Sequence, residues 1–173
     1  ETARESARKT ACLNNEKQIG IAFLAYADDN RDFLPGCVVP AGNEWKSWDT
    51  LLAPYLRNNS VLECPSDGAT RQDGKLPRSY SMNDQMVRYR KAYTGEGIRL
   101  SILHDSTLYV LLTEQHVSAN VQGGVGTPYN WKPPSFGQYY HNSKTGNNFL
   151  FFDGHVRFFS TGQLDEKTNF TFD

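Results

Sequence analysis

Two histidines and an aspartate near the end of the chain are the residues best suited to chemistry. Asp153, Gly154 and His155 stand together in the segment NNFLFFDGHVRFF, and His141 lies twelve residues before Asp153. A carboxylate beside an imidazole can serve as a general base in hydrolysis. A hydrolase of this kind requires His141 and His155 to meet around one cleft.

The same segment also has a structural interpretation. Asp-Gly between two apolar runs is a strong hairpin signal, because a two-residue type I′ turn needs positive φ at both central positions. Such a turn pairs Phe151 with Val156 and Phe149 with Phe158. Side chains alternate along a strand, so this register predicts one apolar face made by these four residues. His155 then lies on the mixed face near the surface, and the sequence favours the turn over the catalytic site.

Residue spacing gives metal binding little support. The segment ADDNRD places Asp28, Asp29 and Asp32 at the end of a predicted helix, where they could bind calcium. Aligned with an EF-hand loop, it puts Phe33 where glycine is required and Val39 where a bidentate glutamate is required, so an EF-hand is excluded. The four histidines lack the spacing of a transition-metal site. We expect a solvated helix end and no cofactor, with calcium as the alternative.

Other chemical signatures are missing from the sequence. There is no GxSxG motif, and QGGVGTP lacks the Lys-Ser/Thr pair of a phosphate-binding loop. The formal net charge is −1 and 21% of the residues are charged, so no bulk electrostatic field favours nucleic acid. We therefore expect neither an enzyme nor a nucleic-acid-binding protein.

The elements that would position these residues begin with one long helix. Residues 1–30 contain no proline and many good helix formers. Cys12, Ile19 and Phe23 recur at helical spacing in one apolar stripe, whereas residues 1–10 are charged and carry no such stripe. The helix is expected to pack on the core from about residue 12 and to be solvated or partner-facing before it.

A short helix and several strands follow. SWDTLLAPYL predicts a short helix that begins at Ser47 and ends or kinks at Pro54. SYSMN and TLYVLLTE predict strands, the second of them central, and the Asp-Gly hairpin follows. Helices ahead of an antiparallel sheet indicate an α+β fold. We expect one domain, with residues 1–30 as the helix and residues 31–173 as a globular head.

Three blocks carry a resemblance to a known family: ARESARKTACLNNEKQIGIAFLAYADDN, WDTLLAPYLRNNSVLECPSD and HNSKTGNNFLFFDGHVRF. In that order they resemble bacterial type IV pilin-like proteins, the pseudopilins related to type II secretion. The first block is similar to the second half of the pilin N-terminal helix. The last is similar to a C-terminal signature in which a histidine precedes Asp-Gly. Eleven residues separate His141 from Asp153 here, slightly more than is usual, which predicts a lengthened loop.

The resemblance implies a structural role at the cell envelope. It implies a long helix packed on an antiparallel sheet, with an apolar inner-membrane anchor ahead of Glu1 that follows a leader cut by a prepilin peptidase. The partners would be other pilin-like subunits, and the head would be periplasmic or extracellular. Arg4, Arg8 and Lys9 are the predicted assembly surface.

The three cysteines permit at most one internal disulfide. Periodicity places Cys12 on the inward face of the helix. The resemblance favours a bond between Cys12 and Cys64 that leaves Cys37 free, and Cys37–Cys64 is the alternative. A disulfide fits an oxidising periplasm.

Two other functions stay open as alternatives. A membrane-anchored binding module would use the Gly/Pro-rich loop 118–140, in which Tyr129, Trp131 and Phe136 could stack on a glycan or contact a protein. A loop held in place by its own aromatic side chains explains the same composition. A hydrolase would use the two histidines and the aspartate of the Asp-Gly segment.

Overall fold

The computed structural model of the chain describes residues 2–71, 74–83, 96–125, 141, 145–160 and 162–163. Within these residues the helices and strands are, in chain order, α1 (Ala3–Asp29), β1 (Phe33–Pro35), β2 (Val38–Ala41), β3 (Glu44–Ser47), α2 (Trp48–Leu52), β4 (Tyr80–Met82), β5 (Glu96–Arg99), β6 (Val110–Glu114), β7 (Gly146–Phe151) and β8 (Val156–Ser160). Short 3₁₀ turns occupy Ala53–Tyr55, Asn59–Leu62 and Leu100–Ile102.

Helix α1 begins at a side-chain cap and ends where the backbone turns left-handed. The Thr2 hydroxyl accepts a hydrogen bond from the backbone N–H of Glu5 at 3.3 Å, which satisfies one of the free donors of the first turn. Arg31 and Asp32, just beyond the helix, have φ of 54° and 70°. Burial along α1 starts at Cys12, and the buried side chains repeat every three or four residues: Cys12, Glu16, Ile19, Gly20, Ala22, Phe23 and Ala27.

The main sheet has four antiparallel strands in the order β4-β6-β7-β8, and α1 packs against it. Strand β6 pairs on both sides and all five of its residues are buried, so the prediction of a central strand is confirmed. The largest core cluster lies between α1, α2 and this sheet. One long helix on an antiparallel sheet confirms the predicted α+β, pilin-like fold.

Two smaller antiparallel pairs complete the described fold. Strand β1 pairs with β5, and β2 pairs with β3 as a hairpin whose turn contains Gly42 at φ 65°. The sequence did not predict the β2–β3 hairpin. Its strands are only four residues long, and Lys46 and Glu44 are exposed, so the segment lacks the apolar alternation that marks a strand.

The register predicted for the Asp-Gly hairpin is wrong by one residue. Leu150 pairs with Val156 and Phe149 pairs with Arg157. The N–H of Phe151 donates to the carbonyl of His155, and the N–H of Gly154 donates to the carbonyl of Phe151. The loop therefore has three residues, Phe152 to Gly154, with Gly154 alone at positive φ (88°). This is the common three-residue hairpin, in which one left-handed residue follows an ordinary turn.

The register shift regroups the side chains of the hairpin. Leu150 and Val156 contact the main core beneath α1. Phe149 and Phe151 lie on the opposite face, in a separate small cluster with Val110. Each face of the hairpin therefore carries apolar side chains, and the single apolar face that we expected is not formed.

No helix among the described residues is both long enough and apolar enough to cross a membrane.

Candidate functional site

A buried cluster of polar side chains joins α1 to the main sheet, and His141 lies at its centre. The Nδ1 atom of His141 lies 2.9 Å from a carboxylate oxygen of Glu5, in the first turn of α1. Its Nε2 atom lies 2.7 Å from Oε1 of Glu114, at the end of β6. The side chain of His141 is fully buried, as is that of Glu114, whereas that of Glu5 is 24% exposed. An imidazole thus links two acids from distant parts of the chain.

Asn148 connects Glu114 to strand β7 and to α1. Its backbone N–H donates to Oε2 of Glu114 at 2.7 Å, and its side-chain amide donates to Oε1 at 2.9 Å. The amide also lies 3.3 Å from the carbonyl oxygen of Lys9 in α1. We call Glu5, Glu16, Glu114, His141 and Asn148 the helix–sheet cluster.

Glu16 is the member of the cluster whose charge is least compensated. It is 0% exposed, and among the described residues neither of its carboxylate oxygens has a hydrogen-bond partner. Burial raises the pKa of Glu16 well above its ordinary value, and the negative charge of Glu114 raises it further. The neutral carboxylic acid is therefore the favoured form. Burial raises the pKa of the Tyr80 hydroxyl well above its ordinary value, and the negative charges of the same two acids raise it further.

The charge state of His141 follows from its two acidic neighbours. Burial by itself would lower the pKa of His141, because a charged imidazolium is poorly solvated in the core. The hydrogen bonds and charges of Glu114 and Glu5 outweigh that effect and raise the pKa above its ordinary value. His116, whose ring lies edge-on to His141 at 6.5 Å, behaves oppositely: burial lowers its pKa to about 4.

A disulfide lies beside the cluster. Cys12 and Cys64 are joined, with their Cα atoms 5.1 Å apart, as the family resemblance implies, and the buried Cys37 takes no part in the disulfide. The Sγ atom of Cys64 lies 3.8 Å from Nε2 of His141. The bond fastens α1 to the loop after α2, and Asn15 adds a hydrogen bond to the carbonyl of Glu63 at 2.9 Å.

A second buried polar cluster contains two ion pairs. Arg78 and Asp49 form an ion pair at 2.5 Å, and Arg71 and Asp67 form another at 2.5 Å. Side-chain exposure in both pairs is 5% or less. Burial would raise the pKa of Asp67, but hydrogen bonds from Arg71 and Ser79 lower it overall. We call Asp49, Asp67, Arg71 and Arg78 the arginine cluster.

The structure does not bring the two candidate catalytic histidines together. His141 pairs with Gly146 at the start of β7, whereas His155 follows the loop at the other end of the same strand. Strand β7 has six residues, so its two ends lie about 16 Å apart. His155 is bonded to Asp153 at 2.6 Å and stacks on Phe151. The geometric condition for the hydrolase is therefore not met.

The Asp-Gly loop instead lies against α1. A Cβ atom built on Gly20 would come within 2.8 Å of Leu150 and 3.4 Å of the carbonyl oxygen of Gly154. A Cβ atom on Gly154 would come within 3.0 Å of Leu24. Helix and hairpin thus approach closely at two glycines, one from the first resemblance block and one from the last.

The acidic end of α1 does not gather into one site. Asp29 accepts a hydrogen bond from the Tyr55 hydroxyl at 3.0 Å, and Asp32 accepts one from the N–H of Ser101 at 2.8 Å. Asp28 is exposed. Among the residues that the structure describes, these three aspartates are not a group whose carboxylate oxygens converge as metal ligands.

The predicted assembly residues separate into two kinds. Arg4 and Arg8 are exposed one turn apart on α1. Lys9 instead lies over the ring of Phe158 in strand β8, with its Nζ atom 4.8 Å from the ring centroid. The predicted ligand residues Tyr129, Trp131 and Phe136 lie outside the described residues, so the binding-loop hypothesis stays a prediction.

We did not predict from the sequence that Glu5, Glu16 and Glu114 belong to a site. One signal for Glu16 was present, because it falls between Cys12 and Ile19 at helical spacing, inside the apolar stripe. A carboxylate in that position must either be buried together with the apolar stripe or interrupt the stripe. Glu5 and Glu114 carried no comparable signal, because their pairing with His141 depends on contacts across more than a hundred residues and across two strands.

One family model matches part of the chain. It is described as "Protein of unknown function (DUF1559)" and matches residues 1–63, which include α1, α2 and the approach to Cys64. The family is associated with bacterial pilin-like and secretion proteins. No curated protein and no solved structure matches the chain.

Proposed function

We propose that this protein is a structural subunit of a type IV pilus-like or type II secretion pseudopilus-like assembly, in which it binds other pilin-like subunits and catalyses no reaction. The observation that carries the proposal is the division of α1. Its first turns expose charged side chains, including Arg4 and Arg8, while the buried side chains start at Cys12. A helix whose first turns leave charged side chains exposed, ahead of the part buried in the core, suits a subunit that bundles with its neighbours.

The way α1 is fastened to the head supports the same function. The disulfide, the Glu5–His141 pair and the close contact at Gly20 hold the helix to the sheet along most of its length. A fibre transmits load from helix to head, and a rigid junction serves that purpose. The matched family model covers this helix, and its association with pilin-like proteins supports the proposal.

The proposal includes a place in the cell. An inner-membrane anchor would precede residue 1, and the head would face the periplasm or the exterior, which agrees with a disulfide in an oxidising compartment. Ile21, which is 67% exposed on α1, borders a groove of 410 Å³ with Tyr55 and Arg57 and offers an apolar contact in addition to the charged one.

The test is the oligomeric state of the full-length protein with its natural N-terminal segment, purified in detergent and measured by light scattering after size exclusion. We expect oligomers in the wild type and their loss in the charge-reversal variant Arg4→Glu/Arg8→Glu. The matched control is Lys46→Glu/Lys75→Glu, which changes the net charge equally at exposed positions of the head.

Two outcomes would count against the proposal. A wild-type protein that stays monomeric would argue for the membrane-anchored binding module. Oligomers that survive the arginine reversal but dissociate in the lysine control would place the interface on the head.

A further inference from the structure

Four potential metal-ligand atoms converge within the buried core. They are the sulfur atoms of Cys12 and Cys64, a carboxylate oxygen of Glu114 and a ring nitrogen of His141, and all lie within 4.8 Å of one another. All four residues are buried. The set holds two soft sulfur donors, one imidazole and one carboxylate, which is the donor chemistry that zinc takes in four-coordinate sites.

The distances already approach those of a tetrahedral site. Ligand atoms about 2.0–2.3 Å from a zinc ion are roughly 3.3–3.8 Å apart. The Sγ atom of Cys64 is 3.8 Å from Nε2 of His141, and that nitrogen is 2.7 Å from Oε1 of Glu114. The His141–Glu114 pair would have to widen by roughly half an ångström, and the two sulfur atoms, which are bonded to each other in the disulfide, would have to separate further.

The groups around the four ligands resemble the outer shell of a built metal site. Metal-bound histidines usually donate their second ring N–H to a carboxylate, which fixes the ring and raises its basicity. Glu5 stands in that position, 2.9 Å from Nδ1 of His141. Asn148 holds both oxygens of Glu114. Glu16, fully buried with no described hydrogen-bond partner for its carboxylate, lies one helical turn after Cys12.

We propose that the dithiol form of this protein binds a zinc-type divalent cation through Cys12, Cys64, His141 and Glu114. A dithiol reductant transfers two electrons and two protons to the disulfide, so the S–S bond breaks, two thiols form and the reductant becomes a disulfide. Metal binding then releases the two thiol protons and the Nε2 proton of an imidazolium, because thiolates and neutral imidazole are the ligands. The metal replaces the disulfide as the link between α1 and the loop after α2.

The metal would therefore hold the helix before the disulfide forms or after it is reduced. Both sulfur atoms are buried in the folded chain, so exchange between the two states requires opening of the helix–loop contact. This inference concerns the junction between α1 and the main sheet and does not depend on the assembly proposal.

The experiment uses the whole chain, unfolded and reduced with a phosphine, which does not compete for the metal as a dithiol would, and refolded with Co²⁺ or Zn²⁺. We expect one cobalt ion per chain, with the thiolate-to-cobalt charge-transfer absorption and the intense visible bands of tetrahedral coordination. Zinc should displace the cobalt and raise the Tm of the reduced chain, while leaving the Tm of the oxidised chain unchanged.

Variants separate ligands from neighbours. Cys37→Ser, which changes the buried cysteine outside the cluster, should keep the cobalt spectrum. Glu5→Gln should keep the spectrum but weaken affinity by about 10- to 100-fold, the usual effect of removing an outer-shell carboxylate. His141→Ala should abolish tetrahedral binding. Its oxidised form, checked by circular dichroism, shows whether the variant still folds with the disulfide in place.

Three results would overturn the proposal. They are a reduced wild type that takes up no cobalt, a charge-transfer band that survives in Cys12→Ser/Cys64→Ser, and a band lost in Cys37→Ser.

Discussion

The arginine cluster and the helix–sheet cluster both bury charged side chains against the same core, yet they balance charge differently. The arginine cluster sets two guanidinium groups against two carboxylates, in pairs at 2.5 Å. The helix–sheet cluster sets three glutamates against one histidine, and Glu16 has no described partner. Buried charges are stable when paired, so the first cluster can stay fully ionised and the second must keep a proton.

The difference shows which of the two buried clusters could still bind a proton or a metal ion. In the arginine cluster each acid meets several donors: Asp49 accepts from Arg78, Ser47 and the N–H of Gly123. The helix–sheet cluster has more acceptors than donors. A surplus of buried acceptors is what a proton or a metal ion can satisfy, which is why the metal proposal concerns this cluster.

The two clusters also respond to pH in opposite directions. Folding lowers the pKa of Asp67, so its contribution to stability is present above the ordinary value of 3.8 and is lost as the pH falls through the folded pKa. Folding raises the pKa of Glu16 and His141, so their contributions are present below the ordinary values of 4.5 and 6.5 and are lost as the pH rises. Acid weakens one cluster, and alkali weakens the other.

Removing one arginine from the balanced cluster should have the largest effect. Arg78→Met leaves Asp49 charged and buried, and we expect the free energy of unfolding to fall by about 3–5 kcal/mol. Urea denaturation at neutral pH measures it. Arg57→Met, at an exposed position, should change stability by at most about 0.5 kcal/mol. Adding Asp49→Asn to Arg78→Met should recover part of the loss, and a double variant less stable than the single one would contradict this account.

Removing the disulfide beside the unbalanced cluster should come next. The bond closes a segment with a sequence separation of 52 residues, so Cys12→Ala/Cys64→Ala should cost at most about 4 kcal/mol through the entropy of the unfolded chain. Thermal unfolding with a chelator present measures the loss without metal. Cys37→Ala should cost clearly less, and equal losses in the two variants would show that the bond adds nothing beyond packing.

The opposite pH responses can be tested one group at a time. The stability of Glu16→Gln relative to the wild type should rise with pH above about 4.5, by at most about 1.4 kcal/mol per pH unit, because the wild type must give up a proton that the amide never carried. His141→Gln should show the corresponding relative gain only above about 6.5. Urea titrations across the pH range measure both, and two parallel curves for wild type and variant would refute the assignment.

The smallest loss of stability is expected from the contact between Lys9 of α1 and Phe158 of β8. Lys9→Met removes the cation above the Phe158 ring, and we expect a loss of about 0.5–1 kcal/mol. Lys17→Met, on an exposed position of the same helix, is the matched control and should change nothing measurable. Equal changes in both variants would mean that only helix propensity was altered.

The spacing of apolar residues predicted those parts of the fold that depend only on neighbouring positions in the chain. The stripe containing Cys12, Ile19 and Phe23 predicted the buried face of α1, and the apolar run TLYVLLTE predicted the central strand. The Asp-Gly hairpin was located correctly but paired one residue out of register. Asp-Gly fits both a two-residue and a three-residue loop, and the contact of the loop with Gly20 and Leu24 on α1 is not visible in its own sequence.

The sequence by itself determined the long helix, the α+β class and the cysteines available for a bond, because helical spacing, strand propensity and residue type act over a few neighbouring positions. Only the tertiary structure decided that Glu5, Glu114 and His141 meet, that Glu16 is buried with no described partner, and that His155 stays apart from them. Those relations depend on strand order and register. The protonation state of each buried group then follows from the neighbouring groups that the fold places beside it.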